Sequence, residues 1–130
     1  MPKPLANTSR YAAIVLGILA GLIGSYHGYN ETLQGSVAPG GVFINAVGPP
    51  CQGSGCFPAM TLVPNFLFAG ATTIIISLII LVFSAGFVQR PRAGIIIILL
   101  SIVQLLVGGG FLPPALGLAS GILATRIKRV

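Results

Sequence analysis

Side chains able to do chemistry are few in this 130-residue sequence, and they fall in three places. The first is "PPCQGSGCFP", Pro49 to Pro58, which holds the only two cysteines, Cys51 and Cys56. Zinc asks for about four ligands, and only His27 and Glu31 remain to supply the others, so no metal is expected. A redox dithiol usually shows the tighter Cys-x-x-Cys spacing, whereas "QGSG" separates this pair. In an oxidising compartment such thiols persist as a disulfide, and closing so small a loop stabilises by about 2 kcal/mol on the chain-entropy account. The pair reads as a structural Cys51–Cys56 disulfide if its segment lies outside the cytoplasm. An exchangeable pair, serving a thiol–disulfide carrier, is the alternative.

The second place is "YHGYNE", Tyr26 to Glu31, which holds the only histidine and the only acidic residue. His27 and Glu31 are spaced i, i+4, so on a helix they share a face and can pair. The sharper reading is a pH-responsive or metal-touching spot; the simpler one is a polar helix end with Tyr26 and Tyr29 at headgroup level. "NET" at Asn30–Thr32 has the form of an N-glycosylation acceptor, a pattern short enough to arise by chance. The third place is inside the apolar runs, where Thr73, Ser77, Ser101 and Gln104 supply weak polarity. An unpaired amide there is costly, so Gln104 is expected to bond to Thr73, Ser77 or a backbone carbonyl. The expected role is contact between helices, with the lining of a solute path as the alternative.

These groups need positioning, and the composition says in what medium. Only 6% of residues are charged and the mean hydropathy is +1.00, against about a quarter charged in soluble domains. The apolar residues gather into runs of spanning length rather than alternating with polar ones. We read one membrane domain, 1–130, all-α, with four transmembrane helices at about 11–29, 65–88, 93–107 and 114–126. The first run is expected to be an uncleaved helix rather than a signal peptide, because Leu22, Ile23 and Tyr26 crowd the candidate cleavage positions. The stretch 93–125 would reach about 50 Å as a single helix, and "VGGGFLPPALG" divides it with glycines and then prolines.

The seven Lys and Arg residues fall in three clusters, Lys3 and Arg10, Arg90 and Arg92, and Arg126, Lys128 and Arg129. With four helices and a cytoplasmic N-terminus all seven lie on the cytoplasmic side, as the positive-inside rule prefers. The turn 89–92 is then cytoplasmic, and loop 30–64, which has no Lys or Arg, is extracytoplasmic. In that loop Val42–Val47 and Ala59–Val63 favour a small β-hairpin around the cysteines. Basic clusters flanking apolar runs, rather than one basic face, exclude nucleic acid as a partner. The partners expected are the bilayer, with anionic lipids near Arg126, Lys128 and Arg129, and a second copy or another membrane protein. The membrane expected is the plasma or cytoplasmic one.

Small residues recur at helical spacing in every span, including the Gly-x-x-x-Gly matches "GILAG" and "GSYHG", which let backbones approach closely in lipid. Four helices with a long, cysteine-bearing first outer loop and a short second one resemble the layout of claudin-like proteins, although this chain has no tryptophan. There is no aspartate, the apolar runs as bounded above hold no carboxylate, and no nucleophile–base or phosphate-binding motif is present. The expectation is a non-enzymatic structural, accessory or self-associating membrane subunit without a cofactor. The alternatives are the thiol–disulfide carrier on Cys51 and Cys56 and an oligomeric pore for a neutral solute.

Overall fold

The computed structural model of the chain describes residues 2–36, 43–45 and 58–127, with side chains for 8–36 and 60–127. Among these residues are four α-helices: α1 (Pro2–Leu33), α2 (Phe66–Gly86), α3 (Ala93–Leu106) and α4 (Leu112–Thr125). Two short antiparallel strands, β1 (Phe43–Asn45) and β2 (Pro58–Met60), pair with Phe43 opposite Met60 and Asn45 opposite Pro58. Cys51 and Cys56, and with them the expected disulfide, lie outside the described residues. So do Lys128 and Arg129.

Local chemistry sets the helix ends. Asn65 caps α2: its side-chain oxygen accepts from the N–H of Leu67 at 2.9 Å and Phe68 at 3.3 Å, satisfying donors that the first turn leaves without partners. Asn65 Nδ2 also donates to Ser36 Oγ at 3.0 Å, tying the start of α2 to the end of α1. Pro91 stops continuation from α2, and Arg92, at φ 70, turns the chain into α3. Pro113 and Pro114 lie in the first turn of α4, where their missing N–H costs nothing. That tolerance lets α4 begin at Leu112, two residues before the sequence expectation.

A larger difference concerns α1. It starts at Pro2 rather than near residue 11, and it continues beyond Tyr29 to Leu33. No glycine or proline interrupts "YNETL", so nothing ends the helix where hydropathy falls. Glu31 therefore belongs to the last turn of a helix, not to a loop. The expectation that no apolar helix carries a carboxylate is overturned, since the candidate span Thr8–Leu33 contains Glu31. Two helical segments are long and apolar enough to cross a membrane, Thr8–Leu33 and Phe66–Gly86. At about 1.5 Å per residue the latter reaches about 32 Å, whereas α3 and α4 reach about 21 Å each.

α1 packs against α2 and α4, while α3 packs against α4 and more lightly against α2. Neighbours run antiparallel. Gly28 faces Gly70 while Gly21 faces Leu81, and the Ser120 hydroxyl of α4 donates to the Ala13 carbonyl of α1 at 2.6 Å. Buried positions recur every three or four residues: Ala13, Gly17, Ala20, Gly24, His27 and Glu31 on α1, and Ile97, Ser101 and Gln104 on α3. The interior is mostly Gly, Ala, Ser and Thr, with Ile80 and Ile97 the bulkiest aliphatic side chains wholly enclosed. The bulk faces outward instead, as with Ile75, Leu78, Val82, Ile95, Leu99 and Ile122.

The same packing device appears twice. A Cβ on Gly70 would lie 2.5 Å from Gly28 O and 2.7 Å from Thr32 N, and one on Gly94 would lie 2.6 Å from Gly121 O and 2.7 Å from Thr125 N. Only bare backbone fits at such crossings. The sequence repeats with the geometry: Ala-Gly-x3-Ile-x2-Ser begins at Ala69 and at Ala93, and Gly-x3-Gly-x3-Thr begins at Gly24 and at Gly117. The α1–α2 crossing thus has a counterpart in the α4–α3 crossing. Arg10, Arg90, Arg92 and Arg126 gather at one end of the bundle, through the α2–α3 turn and the Gly94–Thr125 contact. His27 and Glu31 lie at the other.

Candidate functional site

At the end opposite the arginines, polar side chains from three helices converge on Gly108–Gly110, the turn between α3 and α4. Gly108 (φ 101) and Gly110 (φ 83) have backbones that glycine adopts most readily. The turn starts where α3 ends: Gly109 N–H donates to Gln104 O at 2.8 Å. A side chain on Gly108 would run into the Glu31 carboxylate. One on Gly109 would lie 2.6 Å from Gln104 O, and one on Gly110 would lie 2.8 Å from His27 Cε1. Gly108 is thus the seat of the Glu31 carboxylate and Gly110 that of the His27 ring, while Gly109 lies against the backbone and Cγ of Gln104.

Helix periodicity brings these residues together. His27 and Glu31 are one turn apart on the buried stripe of α1, at 6% and 0% exposure. From α3, Gln104 Nε2 donates to Ser77 Oγ of α2 at 2.8 Å, in a wholly buried contact beside Gly24. Thr73, one turn along α2, donates from Oγ1 to Val107 O at 3.2 Å. The segment after β2 closes over the same corner, with Leu62 N–H donating to Leu106 O at 2.8 Å and Thr61 bridged to Val107.

Of the residues singled out from sequence, His27, Glu31, Thr73, Ser77 and Gln104 share this node. Ser101 does not: its hydroxyl donates to Ile97 O at 2.7 Å, and the side chain fills the space over Gly117. No side-chain hydrogen bond joins His27 to the Glu31 carboxylate, because both carboxylate oxygens of Glu31 lack a hydrogen-bond partner. Gln104 Oε1 is in the same condition. Asn30, the asparagine of "NET", is in α1 and donates from Nδ2 to Tyr26 O at 2.9 Å.

Three buried acceptor atoms with no donor are unusual, because a buried polar group without a partner is costly. None of the described arginines reaches the node, since they lie at the far end. The arrangement suits a species that brings positive charge or a hydrogen to Glu31. Sequence reading missed the triglycine turn as a seat for polar groups, although three consecutive glycines exceed what a helix break needs. No group of three His, Cys, Asp or Glu side chains able to hold a metal ion exists among the described residues.

No family model matches the chain, and no match to it is found among curated proteins or solved structures.

Proposed function

We propose that this chain is a four-span integral membrane protein of the plasma or cytoplasmic membrane, with both termini cytoplasmic, and that it acts as a non-enzymatic accessory or self-associating subunit. The observation that carries the reading is the inverted distribution of bulk, with small residues at the helix crossings and branched aliphatic residues outside. In water that arrangement exposes what should be buried. In lipid it is favourable, because close backbone approach rather than apolar burial holds helices together. Gathering of the described arginines at one end supports the orientation, with residues 37–57 and a Cys51–Cys56 disulfide on the outer side. The short α3 and α4 reach the interfaces by local bilayer thinning and by snorkelling of Arg92 and Arg126. Anionic lipids at Arg126, Lys128 and Arg129 are part of the same proposal.

A pore through one copy gains no support from Thr73, Ser77, Ser101 and Gln104, which are spent on contacts between or within helices. Cross-linking in native membranes followed by mass spectrometry tests the subunit role. Links between copies, or to a constant set of neighbours, are expected; a chain with no neighbours contradicts it. Glu31 favours a second reading, in which the outer node takes up a proton or small cation. Titrated in detergent, the native chain would then take up a proton or sodium ion that Glu31→Gln does not. Equal uptake by both contradicts that reading.

A further inference from the structure

We propose that a recess between the start of α1 and the α2–α3 turn binds the phosphodiester headgroup of an anionic phospholipid. The recess has a volume of about 610 Å³ and is lined by Arg10 and Ile14 of α1 and by residues 85–90. Arg126 of the C-terminal basic cluster is not among its lining residues. The site rests on the membrane reading, which puts this end of the bundle at the headgroup level of the cytoplasmic leaflet.

Arg10 is held in place rather than left to wander. Its Nη2 donates to Tyr11 Oη at 3.2 Å, and the guanidinium lies 4.9 Å from the centre of the Tyr11 ring. With its carboxamide oxygen turned toward α1, Gln89 accepts from Arg10 Nε at 3.3 Å and Nη1 at 2.6 Å. A guanidinium has five N–H donors, so these contacts orient the group and leave donors for a further acceptor. Arg90 adds a second positive charge to the same wall. A planar, oriented guanidinium suits two phosphate oxygens at once.

The wall also carries apolar side chains. Ile14, Phe87 and Val88 line it beside the arginines and Gln89, and Phe87 is steadied by Phe83 at 5.7 Å between ring centres. Ala85 and Gly86 have little or no side chain, and a Cβ on Gly86 would meet nothing within 4 Å. A small soluble anion has no use for that surface. A lipid has one, since its glycerol and first methylenes lie directly below its phosphate. Basic recesses at the cytoplasmic ends of transmembrane helices bind anionic headgroups by this logic.

The test uses the full chain in detergent and native mass spectrometry, with phosphatidylglycerol and phosphatidylcholine as probes. The native protein is expected to retain phosphatidylglycerol selectively. Arg10→Gln with Arg90→Gln weakens that binding about thirtyfold. Gly86→Leu, which keeps every charge and has room for its side chain, weakens it by occupying the recess. Equal retention of the two lipids, variants that bind like the native chain, or full displacement by glycerol phosphate would overturn the lipid site. Alkaline carbonate extraction runs beside it. Protein washed from the membrane would bring down the membrane reading and the site together, whereas retained protein without selectivity brings down the site alone.

Discussion

Gly108 is the residue on which the outer node turns, for two separable reasons. Its φ of 101 is one that side chains disfavour, and its missing Cβ makes room for the Glu31 carboxylate. Gly108→Ala should lower unfolding stability by about 1–3 kcal/mol, read as a fall in melting temperature in detergent. In a Glu31→Ala background the loss should shrink but not vanish, because the clash goes while the backbone strain stays; equal losses in both backgrounds would show that the carboxylate does not rest on this glycine. Gln104 and Ser77 permit a second check at this scale. A double-mutant cycle of Gln104→Leu and Ser77→Ala should give a coupling of about 0.6–1 kcal/mol, as for other hydrogen bonds between membrane helices. A coupling near zero would mean that the 2.8 Å contact contributes nothing to stability. Gln104 announced itself in the sequence because no other amide sits clearly inside an apolar run, away from its ends. Glu31 announced itself as the one acidic residue but not as buried in a helix, because hydropathy drops before the helix does and the chain there looks like the start of a loop.

Between elements, the crossings of α1 with α2 and of α3 with α4 use one device at two places. Gly70→Ala and Gly94→Ala each drive a methyl group into a facing carbonyl, at 2.5 Å and 2.6 Å. Their destabilisation should be similar, about 1–3 kcal/mol, whereas Gly86→Ala, with open space around it, should be near neutral. A Gly94→Ala variant as stable as the native chain would contradict the second crossing. The four helices themselves were legible as apolar runs bounded by basic residues and prolines, and the division of 93–125 follows from "GGGFLPP". Which helices touch was not. The parallel between Ala69–Ser77 and Ala93–Ser101 was present as a pattern, but similar strings of Ala, Gly, Ile and Ser arise readily in apolar composition. Only the facing glycines of α1 and α4 give that pattern a partner. Helix starts were less legible where proline was read as a boundary, since Pro113 and Pro114 sit inside the first turn of α4.

For the whole molecule, the issue is which solvent surrounds it and how often the chain crosses that solvent. Outward Ile, Leu, Val and Phe against an interior of Gly, Ala, Ser and Thr favour lipid, and the arginines at one end favour a single basic side. On this account Cys51 and Cys56 face the oxidising side. Replacing both with serine should cost about 2 kcal/mol and leave the bundle able to fold, because the helix crossings rest on Gly28, Gly70, Gly94 and Gly121. The most direct measurement is the sidedness of the carboxyl terminus and the cysteines in sealed cells. A C-terminal epitope should become accessible only after permeabilisation, while Cys51 and Cys56, once reduced, should react with an impermeant reagent from outside. An epitope reached from the same face as the cysteines would contradict the four crossings.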